Sequence, residues 1–178
     1  MSLFETERMI VRKLEETDVP ALLQILSDPE VMKYSIRGIC DKDATTQFIK
    51  WSRECYITHE VGPWALIMKD SNILIGFCGV SPEEVEGQYE INLGYRLSRY
   101  YWNKGLATEA TKAVVSYAFN EKGVKSIMAI VEPDNIASIR VVEKSGFNSY
   151  RIASFHNRMV NIYQMNEDYW RKEINGDG

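Results

Sequence analysis

The chain has 178 residues, 45% hydrophobic and 26% charged, with 21 Lys+Arg against 25 Asp+Glu for a formal net charge of −4. At roughly 100–200 residues per domain this is one domain, large enough to build a core without disulfide or metal staples. The composition excludes a disordered chain, a collagen-like chain and a small disulfide scaffold, and the acidic balance runs against a general nucleic-acid binder. The three cysteines, Cys40, Cys55 and Cys78, form no Cys-x-x-Cys, and an odd count fits a reducing compartment. Residues 1–12 lack the apolar stretch of a signal peptide, and no run approaches the ~18 apolar residues of a transmembrane helix. The expected location is the cytoplasm, with neither membrane nor nucleic acid as partner.

In chain order, Met9 to Leu14 reads as a strand. Thr17-Asp18 opens a helix with Pro20 in its first turn, and Leu22, Leu23, Ile25 and Leu26 form its apolar side. Asp28-Pro29-Glu30 can start a further short turn of helix, and Asp43 to Tyr56 is a longer helix. Trp64 to Lys69 and Ile73 to Val80, separated by Asp70-Ser71-Asn72, read as a hairpin. Gln88 to Leu97 is the next strand, with Ile91, Leu93, Tyr95 and Leu97 on one face and Glu90, Asn92, Gly94 and Arg96 on the other. Lys104 to Asn120 is the clearest helix: Leu106, Ala110, Val114 and Tyr117 make one stripe, and Gly123 stops it. Ser126 to Val131 is an apolar, buried strand. Asp134-Asn135 caps a helix that runs to Ser145 and ends at Gly146. Two strands close the pattern, Phe147 to Phe155 and Met159 to Met165, around His156-Asn157-Arg158; residues 172–178 read as a frayed tail. The order β-αα-βββ-α-β-α-ββ is that of a mixed sheet covered by helices, an α/β or α+β domain spanning 1–178.

The stretch that carries chemistry is the strand, short loop and helix start from Leu97 to Glu109. A helix N-terminus leaves backbone N–H groups unpaired and carries about half a positive charge, so phosphates bind there readily. Gly105 lets a ligand approach the backbone, Ala107 is small, and Lys104 can add charge. A plain helix start would use the same residues. No Gly-Lys dipeptide and no internal Gly-x-Gly occurs, which sets aside the Walker A loop and the dinucleotide fingerprint. His59 and His156 are far apart and no metal-ligand spacing exists, so no metal is expected.

Tyr101-Trp102-Asn103-Lys104-Gly105-Leu106-Ala107-Thr108-Glu109-Ala110 resembles the acyl-CoA pyrophosphate loop of the GNAT superfamily of N-acetyltransferases. Glu132-Pro133-Asp134-Asn135-Ile136-Ala137-Ser138 and Glu143-Lys144-Ser145-Gly146-Phe147 resemble that family's second CoA-binding motif. The Tyr-Trp-x-Lys-Gly and Glu-Lys-x-Gly-Phe forms, with the opening Thr6-Glu7-Arg8-Met9-Ile10-Val11-Arg12, are similar to the RimJ/RimL-like branch, which acetylates ribosomal-protein N-termini.

The resemblance implies a GNAT fold, a mixed and mostly antiparallel sheet with helices on both faces. It also implies transfer of acetyl from acetyl-CoA to a primary amine: a protein N-terminal amine first, then a polyamine or an amine-bearing antibiotic. A non-catalytic acyl-CoA sensor is the alternative of a different class, and the chain would be a monomer or homodimer. By position, Asn103, Lys104, Gly105, Leu106, Ala107 and Thr108 would hold the pyrophosphate. Tyr95, Arg96 and Leu97 would run along the pantetheine arm, with the Leu97 N–H aimed at the acetyl carbonyl; Asn135 and Ser138 would meet it from the other side. The strands Gln88–Leu97 and Ser126–Val131 would splay to admit it.

An alkylamine has a pKa near ~10 and must lose a proton before attack, so a base is useful. Glu90 is the candidate, with a surface carboxylate paired to a neighbour such as Arg96 as its other reading. The branch's usual Glu, two residues before the strand glycine, is here Asn92. The family's Tyr, seven residues after the motif Asn, is here Val142, which leaves Ser138 as the hydroxyl able to protonate the leaving thiolate. Its other reading is a pantetheine or helix-cap contact. Tyr34, Trp51, Asn157 and Asn161 stand as acceptor-side candidates or packing residues, and Lys144 as a phosphate contact or solvated residue.

Overall fold

The computed structural model describes residues 1–176. The elements are β1 (Phe4–Glu5), β2 (Met9–Lys13), α1 (Val19–Leu26), α2 (Lys42–His59), β3 (Pro63–Met68), β4 (Leu74–Val85), β5 (Gln88–Leu97), α3 (Leu106–Glu121), β6 (Ser126–Val131), α4 (Ile136–Lys144), β7 (Tyr150–Phe155), β8 (Arg158–Asn166) and α5 (Glu167–Tyr169). The strands form a single sheet in the order β1-β2-β3-β4-β5-β6-β8-β7. Every pairing is antiparallel except that of β5 with β6.

Alternation along β3 explains why all six of its residues are buried. Trp64, Leu66 and Met68 pack into a core that holds Val114, Val115 and Phe119 of α3 and Val142 of α4. Ala65 and Ile67 pack on the other face with Leu22 and Leu26 of α1 and Phe48 and Ile49 of α2. A strand covered on both faces is apolar throughout, as this one is. A third, smaller cluster of Val85, Met128, Ala153, Val160 and Ile162 lies under the far end of the sheet.

The central pattern follows the sequence expectation, and the differences have local causes. β4 runs on to Val85, through Pro82, because β3 stops pairing at Gly79 and the missing Pro82 N–H then faces no strand. Glu86 and Gly87, both with positive φ, close the two-residue turn into β5. Asp28-Pro29-Glu30 starts a single helical turn, closed by the Met32 N–H on Asp28 O (3.1 Å), that does not extend into a helix. Asp28 Oδ1 caps that turn by accepting from the Glu30 N–H (3.0 Å), and residues 28–40 form a turn-rich loop that buries Val31 and Met32. α3 begins at Leu106 rather than Lys104, since Asn103 (φ 60°) and Gly105 (φ 78°) are left-handed. β7 begins at Tyr150 rather than Phe147, because Phe147 is fully buried and its N–H closes onto Val142 O (3.0 Å) after the helix.

Two elements had no counterpart in the sequence reading. β1 pairs with β2 at Phe4↔Val11 and Glu5↔Ile10. After β8, α5 continues as a wide helical turn over Trp170–Ile174, so residues 172–174 are helical. Trp170 is 3% exposed, with its ring 5.3 Å from that of Phe119. The end of the expected tail, Asp177-Gly178, lies outside the described residues.

Candidate active site

β5 and β6 run in parallel and pair only at Asn92↔Met128 and Leu93↔Ala129. Beyond Leu93 they part, so the strands splay as the resemblance implied. Two carbonyls of the freed stretch are taken by side chains: Arg96 Nη1 donates to Tyr95 O (2.6 Å) and Trp102 Nε1 donates to Leu97 O (3.0 Å). Trp102 thereby ties the loop to the strand that it follows, a role its sequence position did not disclose.

The gap is flanked by two helix starts. On one side the left-handed Asn103 and Gly105 turn the chain into α3, whose N-terminus has no side-chain cap. Its first N–H groups therefore keep their partial positive charge for a ligand. Behind this loop Glu109, in the first turn of α3, accepts from the Thr6 hydroxyl (2.6 Å), the Arg8 N–H (2.9 Å) and Arg8 Nε (2.7 Å). Arg8 Nη1 also donates to Lys104 O (2.9 Å). On the other side Asn135 caps α4, its Oδ1 accepting from the Ser138 N–H (3.2 Å).

Two cavities meet at this gap. The first, about 480 Å³, is lined by Tyr95, Arg96, Leu97, Asn103, Gly105, Leu106, Ala107, Thr108, Asn135 and Ser138. These are the positions the motifs marked for the donor, except Lys104. Lys33, Arg140 and Lys144 also line it, against one carboxylate residue, Glu30. Among the described residues none of the three cations is ion-paired to a carboxylate. Arg140 and Lys144 are four apart on α4 and share a helix face, a spacing visible in the sequence. Lys33 arrives on the 28–40 loop, which no local pattern could place here.

The second cavity, about 420 Å³, lies on the α1–α2 side of the sheet, with Tyr34, Arg37, Phe48, Trp51, Phe77, Ser81, Glu83, Asn92, Gly94 and Glu132 among its walls. Tyr34 and Trp51 therefore belong to it. Asn157 and Asn161 do not; their neighbours His156 and Val160 do. Tyr34, Tyr95, Arg96, Asn135 and Ser138 line both cavities and mark the junction.

The junction holds a hydroxyl pair, with Tyr95 Oη and Ser138 Oγ 2.8 Å apart. Burial pushes the Tyr95 phenol up, more than the Ser138 hydrogen bond and the nearby Arg96 charge draw it down, which keeps it protonated and able to donate. Val142 is 2% exposed in the core. Asn92 Oδ1 is buried with no hydrogen-bond partner among the described residues.

Glu90 lies in the wall of neither cavity. Its carboxylate sits 3.4 Å from Gln164 Nε2, and no ion pair joins it to Arg96. It lies two residues before the first β5–β6 pair, on the side away from the splay, whereas its cross-strand partner Glu83 does line the second cavity. Cys78 is fully buried, and burial pushes its thiol up to about 12, so it has no nucleophilic character. Among the described residues no helix is long and apolar enough to cross a membrane.

Comparison with known proteins agrees with this geometry. A family model described as an acetyltransferase (GNAT) domain matches residues 8–148. The uncharacterised N-acetyltransferase p20 of Bacillus licheniformis is 31% identical over 169 residues, 92% of this chain and 94% of its own. The crystal structure of a GNAT-family acetyltransferase from Bacillus anthracis superposes with a TM-score of 0.74 at 28% identity, covering 92% of this chain and 98% of that one. The aminoglycoside acetyltransferase AAC(6′)-Ib, solved with paromomycin and acetyl-CoA, superposes with a TM-score of 0.80 over 94% of this chain and 98% of that one. At 16% identity this last likeness is one of fold. With the splayed parallel pair, the uncapped α3 and a family match across most of its length, the chain belongs to the GNAT family of acetyltransferases.

Proposed function

We propose that the protein transfers acetyl from acetyl-CoA directly to a primary amine, with the pyrophosphate at the start of α3 and the amine arriving through the 420 Å³ cavity. The observation that carries this reading is the uncapped N-terminus of α3, which opens into a cavity walled by Lys33, Arg140 and Lys144 beside the unpaired edge of β5. A phosphate-bearing, strand-like ligand fits both features at once.

In the proposed reaction the amine nitrogen bonds to the acetyl carbon and the carbon–sulfur bond breaks. The Leu97 N–H is assigned to the carbonyl oxygen as it gains charge; one such donor is worth ~3 kcal/mol. Holding amine and thioester together at the junction supplies much of the remainder. The first of the two protons that the ammonium must lose is assigned to Glu83, the member of the cross-strand Glu83–Glu90 pair that lies in the cavity wall. The second proton, left on nitrogen in the tetrahedral adduct, replaces the one that Ser138, hydrogen-bonded to Tyr95, gives to the departing thiolate. A thiol of pKa about 8.5 leaves tolerably in any case.

The motif forms favour the RimJ/RimL-like branch, hence a protein N-terminal amine as acceptor, with a small amine as the second class. The buried Val142 in place of the family tyrosine favours a non-catalytic acyl-CoA sensor as the competing reading. Calorimetric titration with acetyl-CoA, followed by thiol-release assays on peptides and small amines, separates the readings. Micromolar binding with turnover supports the enzyme. Binding with no turnover on any amine supports the sensor. No binding up to millimolar acetyl-CoA overturns both.

A further inference from the structure

This protein pairs its half-buried arginines with carboxylates: Arg12 forks onto Asp18 (2.8 Å twice) and Arg8 meets Glu109 (2.7 Å). Arg96 is the exception. It is half-buried at the junction of the two cavities, and its hydrogen bond is to the carbonyl of its own neighbour, Tyr95. Among the described residues no carboxylate lies within ion-pair distance of it. Burial pushes its pKa below the ordinary arginine value; Tyr95 pulls it back up in part, and the charge of Arg37, a smaller effect, pushes it down again. Arg37 itself lines the acceptor cavity from the 28–40 loop, with its guanidinium 5.2 Å from the Phe48 ring and likewise no carboxylate partner.

A desolvated cation facing a second cation is costly, and a ligand that brings the missing anion removes the cost. The cavity's own carboxylates do not supply it. Glu132 is committed to Arg158 (2.7 Å), and Glu83 sits on β4 with no ion pair among the described residues. The wall is therefore bipolar, with two guanidiniums that have no carboxylate partner among the described residues at one place and the Glu83 carboxylate, which accepts from the Glu84 N–H (3.2 Å), at another. A polycation would meet repulsion at the first.

We propose that the acceptor amine belongs to a molecule that also carries a carboxylate, bound by Arg96 and Arg37 while its amino group turns toward Glu83. This rests on the acetyl-transfer reading above and specifies its acceptor. A free amino acid and a peptide with an acidic side chain next to its N-terminus present the same chemistry.

The test is a thiol-release assay with acetyl-CoA on amino acids, each as free acid and as carboxamide, which keeps the amine and removes the anion. Amidated tripeptides with Asp or Asn at the second position form the peptide arm, and spermidine and kanamycin the polycation arm. At least one acid should exceed its amide or Asn counterpart tenfold or more in kcat/KM, and the arm in which it does so names the source. In Arg96→Gln and Arg37→Gln that ratio should fall toward one. Arg37→Gln should bind acetyl-CoA as the wild type does, which shows a folded donor site. Equal rates for acid and amide, a preference for the polycations, or no transfer to any acid overturns the proposal. Loss of acetyl-CoA binding by the wild type would instead overturn the reading on which it rests.

Discussion

Tyr95 on β5 and Ser138 in the first turn of α4 touch across the splayed seam, with 2.8 Å between their hydroxyl oxygens. The contact joins two positions that the resemblance marks separately, and in the proposed reaction it supplies the proton to the leaving thiolate. If the pair works as a unit, Tyr95→Phe and Ser138→Ala should each lower kcat about a hundredfold or more, the lower end of general-acid effects. The double variant should be no worse than the poorer single one, because coupled residues do not add. Steady-state kinetics on the double-mutant cycle checks this, and additive losses would separate the two.

Gly105 has φ 78°, and a Cβ built there would stand 3.5 Å from Arg8 Nη2, an ordinary contact. Gly105→Ala should thus cost about 1 kcal/mol of stability through its left-handed backbone alone and leave acetyl-CoA affinity within a few-fold. Gly105→Glu places an anion at the α3 N-terminus and should weaken binding at least tenfold. Calorimetry on both variants separates strain from charge; equal affinity in the two would take the loop out of the site.

Glu109 holds Thr6 and Arg8 against the back of the loop. Burial pushes its carboxyl up, but the Thr6 and Arg8 hydrogen bonds outweigh this and hold the pKa below the ordinary value. A lowered folded pKa means stability that is present above the unfolded value of about 4.3 and is lost as pH falls through the lower folded one. Glu109→Gln should lower stability by about 1–2 kcal/mol at pH 7, or about 2–8 °C in Tm. The gap from wild type should close below pH ~4 in thermal melts taken across pH.

Glu83 and Glu90 face each other across the β4–β5 ladder, but only Glu83 reaches the acceptor cavity. Glu83→Gln should lower kcat/KM about a hundredfold or more at neutral pH, the range of a lost general base. Glu90→Gln should change it little, since that carboxylate is held by Gln164 outside the cavity. The reverse order of effects would return the base to Glu90.

Trp170 closes the core below α3. Trp170→Ala should cost about 3–5 kcal/mol by opening a cavity against Phe119. Urea unfolding measures it, and a loss under about 1 kcal/mol would make the last helical turn dispensable.

Much of the fold was legible locally. Periodicity alone located β5 and β6 to the residue, and the α3 stripe of Leu106, Ala110 and Val114 is fully buried or nearly so. Short elements were not legible: Phe4-Glu5 is too brief to show a period, and Trp170 makes a helical turn worthwhile only because Phe119 waits beneath it. Glu90 shares a face with Asn92, Gly94 and Arg96, as alternation requires, yet alternation cannot say where the β5–β6 seam stops pairing.

The sequence by itself determined the order of elements, because helix starts and strand faces follow from neighbours a few positions apart, and the family resemblance marked a set of residues that, except Lys104, line the 480 Å³ cavity. Tertiary structure decided which groups meet at the junction. The splay beyond Leu93 exposes the β5 edge, the 28–40 loop brings Lys33, Tyr34 and Arg37 to it, and Arg96 is left without a carboxylate. Those relations depend on strand register and loop path, which fix distances between residues far apart in the chain and leave no local period to read.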